Sequence, residues 1–67
     1  MMINHYRISL LAAALTQEAA MAHAYEHSGN ATMAQVSGEN AMEELRKIAL
    51  ELGYSLEKLP VPTLRAA

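Results

Sequence analysis

The chain has 67 residues, of which 52% are hydrophobic and none is cysteine, and its five basic and seven acidic residues give a net charge of −2. This length allows one domain at most, with a thin hydrophobic core, and the absence of cysteine excludes disulfides and thiolate zinc sites. The basic residues are too few for a phosphate-binding surface, so we expect no nucleic-acid partner.

The N-terminal segment combines helical features with a weak resemblance to a signal peptide. Residues 8–15 are apolar, and Ala22-His23-Ala24 has the small-x-small form of a signal-peptidase site. Glu18 interrupts this region, and cleavage would leave a remainder too short to fold. We therefore expect no cleavage, no membrane span from so short an apolar run, and a cytoplasmic location in keeping with the absence of cysteine.

The first predicted helix spans residues 3–27, which contain no Gly or Pro and are rich in residues that favour helices. At about 100° per residue, its apolar side chains cover one broad half of the helix surface. This arc is wider than one neighbouring helix covers, because a two-helix seam needs only a narrow stripe. The pattern therefore predicts a second partner for this helix.

Two charged residues in the apolar arc suggest how that partner is recognised. Arg7 and Glu18 point in nearly the same direction but are about 16 Å apart along the axis, which excludes an ion pair within the helix. If two copies pack antiparallel about a dyad near Ala12 and Ala13, Arg7 of each copy lies opposite Glu18 of the other. Alternatively, both side chains extend past the apolar edge to water. We predict self-association through Arg7, Leu10, Leu11, Ala14, Leu15 and Glu18.

The first helix is predicted to end at Ser28-Gly29-Asn30. Glycine adopts the left-handed conformation that terminates helices, and the small polar residues favour a turn. Residues 31–36 have an ambiguous pattern, and we predict a loop there that contains one helical turn capped by Asn30.

The second predicted helix spans residues 39–52. Ser37 and Gly38 predict an interruption before it, and Asn40 with Glu43 has the spacing of a capping box, with Ser37 as a competing N-cap. The two helices together predict an all-α helical hairpin. The apolar positions of this helix fall within one stripe of about 100° to 120°, and they are Ala41, Met42, Leu45, Ile48, Ala49 and Leu52.

The C-terminal part is predicted to contain a helix ending, a short turn and a tail. Gly53 suits the first position after the second helix, with Tyr54 folding back in a Schellman motif. Ser55 is expected to cap one further short C-terminal turn, after which the prolines prevent a helix. We therefore expect a single domain over residues 1–59 and an extended, proline-containing tail over residues 60–67.

Few residues of the sequence are candidates for metal binding or catalysis. His23 and His27 share one helix face at a spacing that metal-binding helices use, but two ligands do not make a site. We expect solvated histidines, and the alternative is a metal or small-ligand site between chains, which a chelator-sensitive melting temperature would favour. The chain has no Asp, no phosphate-binding glycine loop and no nucleophile elbow. The sequence therefore predicts no enzyme and no cofactor.

The function expected from these features is that of a non-enzymatic interaction protein. A homodimer in a four-helix arrangement would bury the surface that each hairpin exposes. This small regulator or inhibitor would occlude a larger, unidentified protein partner through Met2, Tyr6 and the loop around Met33, since tyrosine and methionine suit interfaces. Inhibitors encoded by phages and other mobile elements are often similarly small, but no sequence motif links this chain to them.

Overall fold

The computed structural model describes residues 2–60, and this range contains two helices that pack against each other. Helix α1 spans His5–His27 and helix α2 spans Ala31–Glu51. The predicted all-α helical hairpin is therefore confirmed for this part of the chain.

Helix α1 begins after Asn4, two residues later than predicted. The side-chain oxygen of Asn4 accepts a hydrogen bond from the backbone N–H of Arg7 at 3.0 Å. One of the amides that a helix start leaves without an intrahelical partner is thereby satisfied. Asn4 thus fixes the position at which the helix begins.

The turn between the helices depends on three consecutive residues. Ser28 is the C-cap of α1, and Gly29 follows with a φ of +82°, a left-handed conformation that glycine adopts without steric strain. The Asn30 N–H donates to the carbonyl of Tyr25 at 2.9 Å, which completes a Schellman motif. The side chain of Asn30 also accepts from the Met33 N–H at 3.1 Å, so the same residue caps α2.

Helix α2 is longer than predicted at its N-terminal end. Residues 31–38 are helical throughout, so the predicted loop over residues 31–36 and the interruption at Ser37 and Gly38 are wrong. The caps predicted at Ser37 and Asn40 are wrong for the same reason. Ser37 is only 2% exposed, and packing of this side against α1 outweighs the weak helix propensity of serine and glycine.

The C-terminal end of α2 has the predicted Schellman motif. Gly53 has a φ of +89°, and the Tyr54 N–H donates to the carbonyl of Ala49 at 2.8 Å. The short turn predicted from Ser55 is wrong, because residues 54–60 contain no helix or turn. A single helical turn gains few hydrogen bonds for the residues it orders, and the chain instead places Leu56–Leu59 alongside α2. Of the predicted tail, residues 61–67 lie outside the described range.

The core between the helices is small. Leu11, Ala34 and Ala49 are the buried apolar residues of the described range, and Ser37 is buried with them. Half-buried residues border this core on both helices. They are Ile8, Ala14, Leu15, Glu18, Met21, Ala22 and Tyr25 of α1 and Ala41, Glu44, Ile48 and Glu51 of α2.

Candidate functional site

The three residues predicted to contact a protein partner are exposed, but they do not form one local site. Met2 is 94% exposed and Tyr6 is 73% exposed, whereas Met33 is at 36%. Met2 and Tyr6 lie at the start of α1, and Met33 lies in the first turn of α2, at the other end of the hairpin. At about 1.5 Å per residue, this separates Tyr6 from Met33 by roughly 30 Å along the helix axis.

The residues predicted for self-association lie largely along the seam between α1 and α2. Leu11 is buried, and Ala14, Leu15 and Glu18 are half-buried there. Leu10 remains 54% exposed. The contact of these residues with a second chain stays a prediction, and in the closed hairpin most of them are already buried or half-buried.

Arg7 has an ion-pair partner within its own chain. Its Nε donates to Oε2 of Glu51 at 2.7 Å, and this pair joins the start of α1 to the end of α2. Sequence reasoning missed the pair because it depends on how the two helices are aligned, which neither helical pattern specifies alone. Both side chains keep substantial contact with water, so the pair contributes about 1 kcal/mol or less.

Glu18 is placed differently from Arg7. Its Oε2 atom is buried and has no hydrogen-bond partner among the described residues. A buried carboxylate oxygen without a partner costs free energy relative to a solvated one. The structure therefore does not bring Glu18 together with Arg7 in one chain, and their pairing between two chains remains a prediction.

The two histidines of α1 lie next to each other on the surface. The ring centroids of His23 and His27 are 5.3 Å apart, with the ring planes tilted by 42°. Over residues 2–60, no group of three or more His, Cys, Asp or Glu side chains could hold a metal ion. A metal site at this pair would need a further ligand from another chain, and it stays a prediction.

An open groove that the sequence did not predict runs along the outer side of α2. Its volume is about 640 Å³, and it lies between one flank of α2 and the segment Leu56–Leu59. The nearest sequence signal is the pair Leu56 and Leu59, whose spacing of three residues predicts a helical turn. The apolar lining is Met42, Leu45, Leu56 and Leu59, and the polar lining is Gln35, Glu39, Arg46, Glu57 and Lys58, with Gly38 between them.

Large apolar side chains are more common on the surface than in the interior of the described chain. Leu11 is the one large apolar side chain that is buried there. The exposed ones are Met2, Ile3, Tyr6, Leu10, Met33, Val36, Met42, Leu45, Leu50, Leu52, Tyr54, Leu56 and Leu59. Neither described helix has the length and apolar character needed to cross a bilayer. In comparisons with known proteins, no family model, curated protein or solved structure matches this chain.

Proposed function

We propose that this chain is a non-enzymatic protein–protein interaction module that pairs with its own copy and, as a small homodimeric regulator or inhibitor in the cytoplasm, occludes a larger protein partner. The supporting observation is the distribution of apolar surface. Among the described residues Leu11 is the one large apolar side chain in the core, whereas large apolar side chains on both helices remain exposed. Apolar surface contributes about 25 cal/mol per Å² when it is removed from water, and extensive exposed patches mark interaction sites.

Self-association follows from the size of the hairpin. Two helices bury their apolar surface against each other only along one seam. A second hairpin supplies two more helices and forms a four-helix arrangement, in which exposed apolar side chains are buried against the other copy. The dimer is therefore the smallest assembly that remedies the limited core.

The surface left outside the dimer suits binding of a larger protein. Met2, Tyr6 and Met33 lie along the hairpin from one end to the other. Methionine side chains adapt to irregular surfaces, and tyrosine combines a rigid apolar ring with a polar hydroxyl group. An extended contact along the hairpin would occlude a surface of the partner rather than fill a pocket in it.

Sedimentation equilibrium, combined with circular-dichroism melts at several protein concentrations, tests the self-association. We expect a mass that reaches a plateau at two copies, and a melting temperature that rises with concentration because association stabilises the folded state. Continued growth of the mass beyond two copies would indicate aggregation and contradict the proposal. A sharply melting monomer at every concentration would contradict it as well.

A further inference from the structure

Gly38 occupies a position where the described chain does not require a glycine. It lies within α2, and its φ is not in the left-handed region, unlike those of Gly29 and Gly53. Apart from its two chain neighbours and the adjoining backbone of its own helix, a Cβ atom placed on Gly38 would have no heavy atom of the described chain within 4 Å. Glycine within a helix is destabilising relative to alanine. Its useful property at this position is the open space that it leaves beside the helix backbone.

That open space belongs to a second helix-packing stripe on α2. The stripe that faces α1 includes Ala34, Ser37 and Ala41, which are buried or half-buried. Gly38, Met42 and Leu45 repeat nearly the same spacing about 100° around the helix. Alternating steps of three and four residues are the spacing of helix–helix seams.

The second stripe forms one wall of the groove and has no helix packed on it within the described chain. Met42 is 48% exposed and Leu45 is 38% exposed. Leu56 and Leu59 form the opposite wall and are themselves 40% and 59% exposed. The groove thus offers apolar walls on two sides of an open space, the form of a hole that accepts a side chain of another helix.

The charges at the groove are matched to a second copy of the same surface. Glu39 and Arg46 are seven residues apart on one edge of the stripe, and Glu57 and Lys58 add one charge of each sign. In a two-fold interface the same patch must complement itself, so it needs both signs of charge at positions related by the dyad. Antiparallel packing of two α2 helices about a dyad near Met42 meets this condition, because each Glu39 then faces the Arg46 of the other copy.

Glu39 and Arg46 can form ion pairs with a second copy without breaking any contact to α1 or to the segment Leu56–Leu59. Glu39 accepts from Gln35 at 3.4 Å, and Arg46 donates to Glu43. Both contacts are exposed and lie within α2. Neither ties Glu39 or Arg46 to α1 or to the segment Leu56–Leu59.

We propose that the groove is the docking site of a second copy of this chain, with the two α2 helices packed antiparallel about a dyad near Met42. In this packing Met42 of each copy meets the opposite Met42, Leu45 of each copy lies beside the opposite Gly38, and each Glu39 pairs with the opposite Arg46. The inference rests on the self-association of the proposed function and places the contact on the outer flank of α2 instead of on α1.

A charge-mixing experiment tests this geometry. The variants Glu39→Arg and Arg46→Glu each place like charges at both symmetry-related contacts, so each should self-associate about tenfold more weakly than the wild type. An equimolar mixture should form a heterodimer close to wild-type strength, because both contacts then join opposite charges. Sedimentation of fluorescently labelled variants measures the three dissociation constants.

A second pair of variants tests the open space. Gly38→Gln should raise the melting temperature of the dilute chain, since glutamine favours helix more than glycine does, yet weaken the dimer by about tenfold or more because its side chain occupies the space beside the α2 backbone that the second copy enters. Asn40→Gln is the matched control, because it introduces the same side chain on the opposite side of α2. The control should dimerise like the wild type.

The outcomes separate this inference from the proposed function. A wild-type dimer that Gly38→Gln leaves intact, or a mixture no tighter than the single variants, overturns the α2 docking site while self-association stands. A wild-type chain that is monomeric at every concentration overturns the docking site together with the proposed self-association, even if a foreign helix binds the groove.

Discussion

Arg7 and Glu18 show how far a single helical pattern can predict the surroundings of a charged residue. Their similar direction on α1 suggested one shared environment, but the structure gives them different ones. Arg7 lies where α2 supplies Glu51, whereas the buried oxygen of Glu18 has no donor among residues 2–60. The direction of a side chain follows from its own helix, but its partner depends on the register of the other helix.

The unpaired Glu18 oxygen predicts that an apolar substitution stabilises the isolated hairpin. Glu18→Met removes a buried group without a hydrogen bond and keeps a long, flexible side chain, so the free energy of unfolding should rise by about 1 kcal/mol. Urea unfolding of the dilute chain measures the change. Glu26→Met is the matched control on an exposed position of α1, and it should change stability by less than about 0.5 kcal/mol.

The opposite result would contradict the absence of a hydrogen-bond partner for Glu18. Loss of stability in Glu18→Met, with the control unchanged, would contradict an unpaired carboxylate. In the dilute chain such a partner would have to belong to the same hairpin.

At the scale of the helices, the elements that depend on local signals were predicted and the ones that depend on packing were not. The Schellman motif at Gly53 needs only nearby residues, and so does the end of α1 at Gly29. For the first part of α2, the ambiguous pattern of residues 31–36 predicts a loop with one helical turn, and the weak helix propensity of Ser37 and Gly38 predicts an interruption after it. The burial of Ser37 against α1 favours a helix over a loop here, and this burial cannot be predicted from the local sequence.

Substitutions of Asn30 and Asn40, which flank residues 31–38, should have contrasting effects on the stability of α2. Asn30 caps the helix through its bond to the Met33 N–H, so Asn30→Ala should lower the free energy of unfolding by about 1 kcal/mol, and Asn30→Ser should retain most of it. Asn40 lies inside the helix, so Asn40→Ala should be neutral or stabilise by about 0.5 kcal/mol. Thermal melts of the three variants measure the difference, and a larger loss at Asn40 than at Asn30 would contradict the observed start of α2.

At the scale of the whole molecule, the sequence indicated an excess of apolar surface but not its location. The broad apolar arc of α1 predicts a second partner, which stays a prediction, and Leu10 in that arc is 54% exposed in the hairpin. The groove on α2 was not predictable, because it forms only when Leu56–Leu59 lies alongside Met42 and Leu45. Such a contact joins segments that no single periodic pattern covers.

The small core predicts that the stability of the molecule depends on Leu11 and on protein concentration together. Leu11→Ala removes the one large apolar side chain buried among the described residues, at a cost of about 2–5 kcal/mol. A single core in a chain of this size supplies little more than that, so the dilute variant should be largely unfolded by circular dichroism. Association stabilises only folded chains, so helicity should return as concentration rises. Leu50→Ala, at a position 62% exposed, should remain folded, and a Leu11→Ala variant that melts like it would show that the hairpin is stabilised elsewhere than in this core.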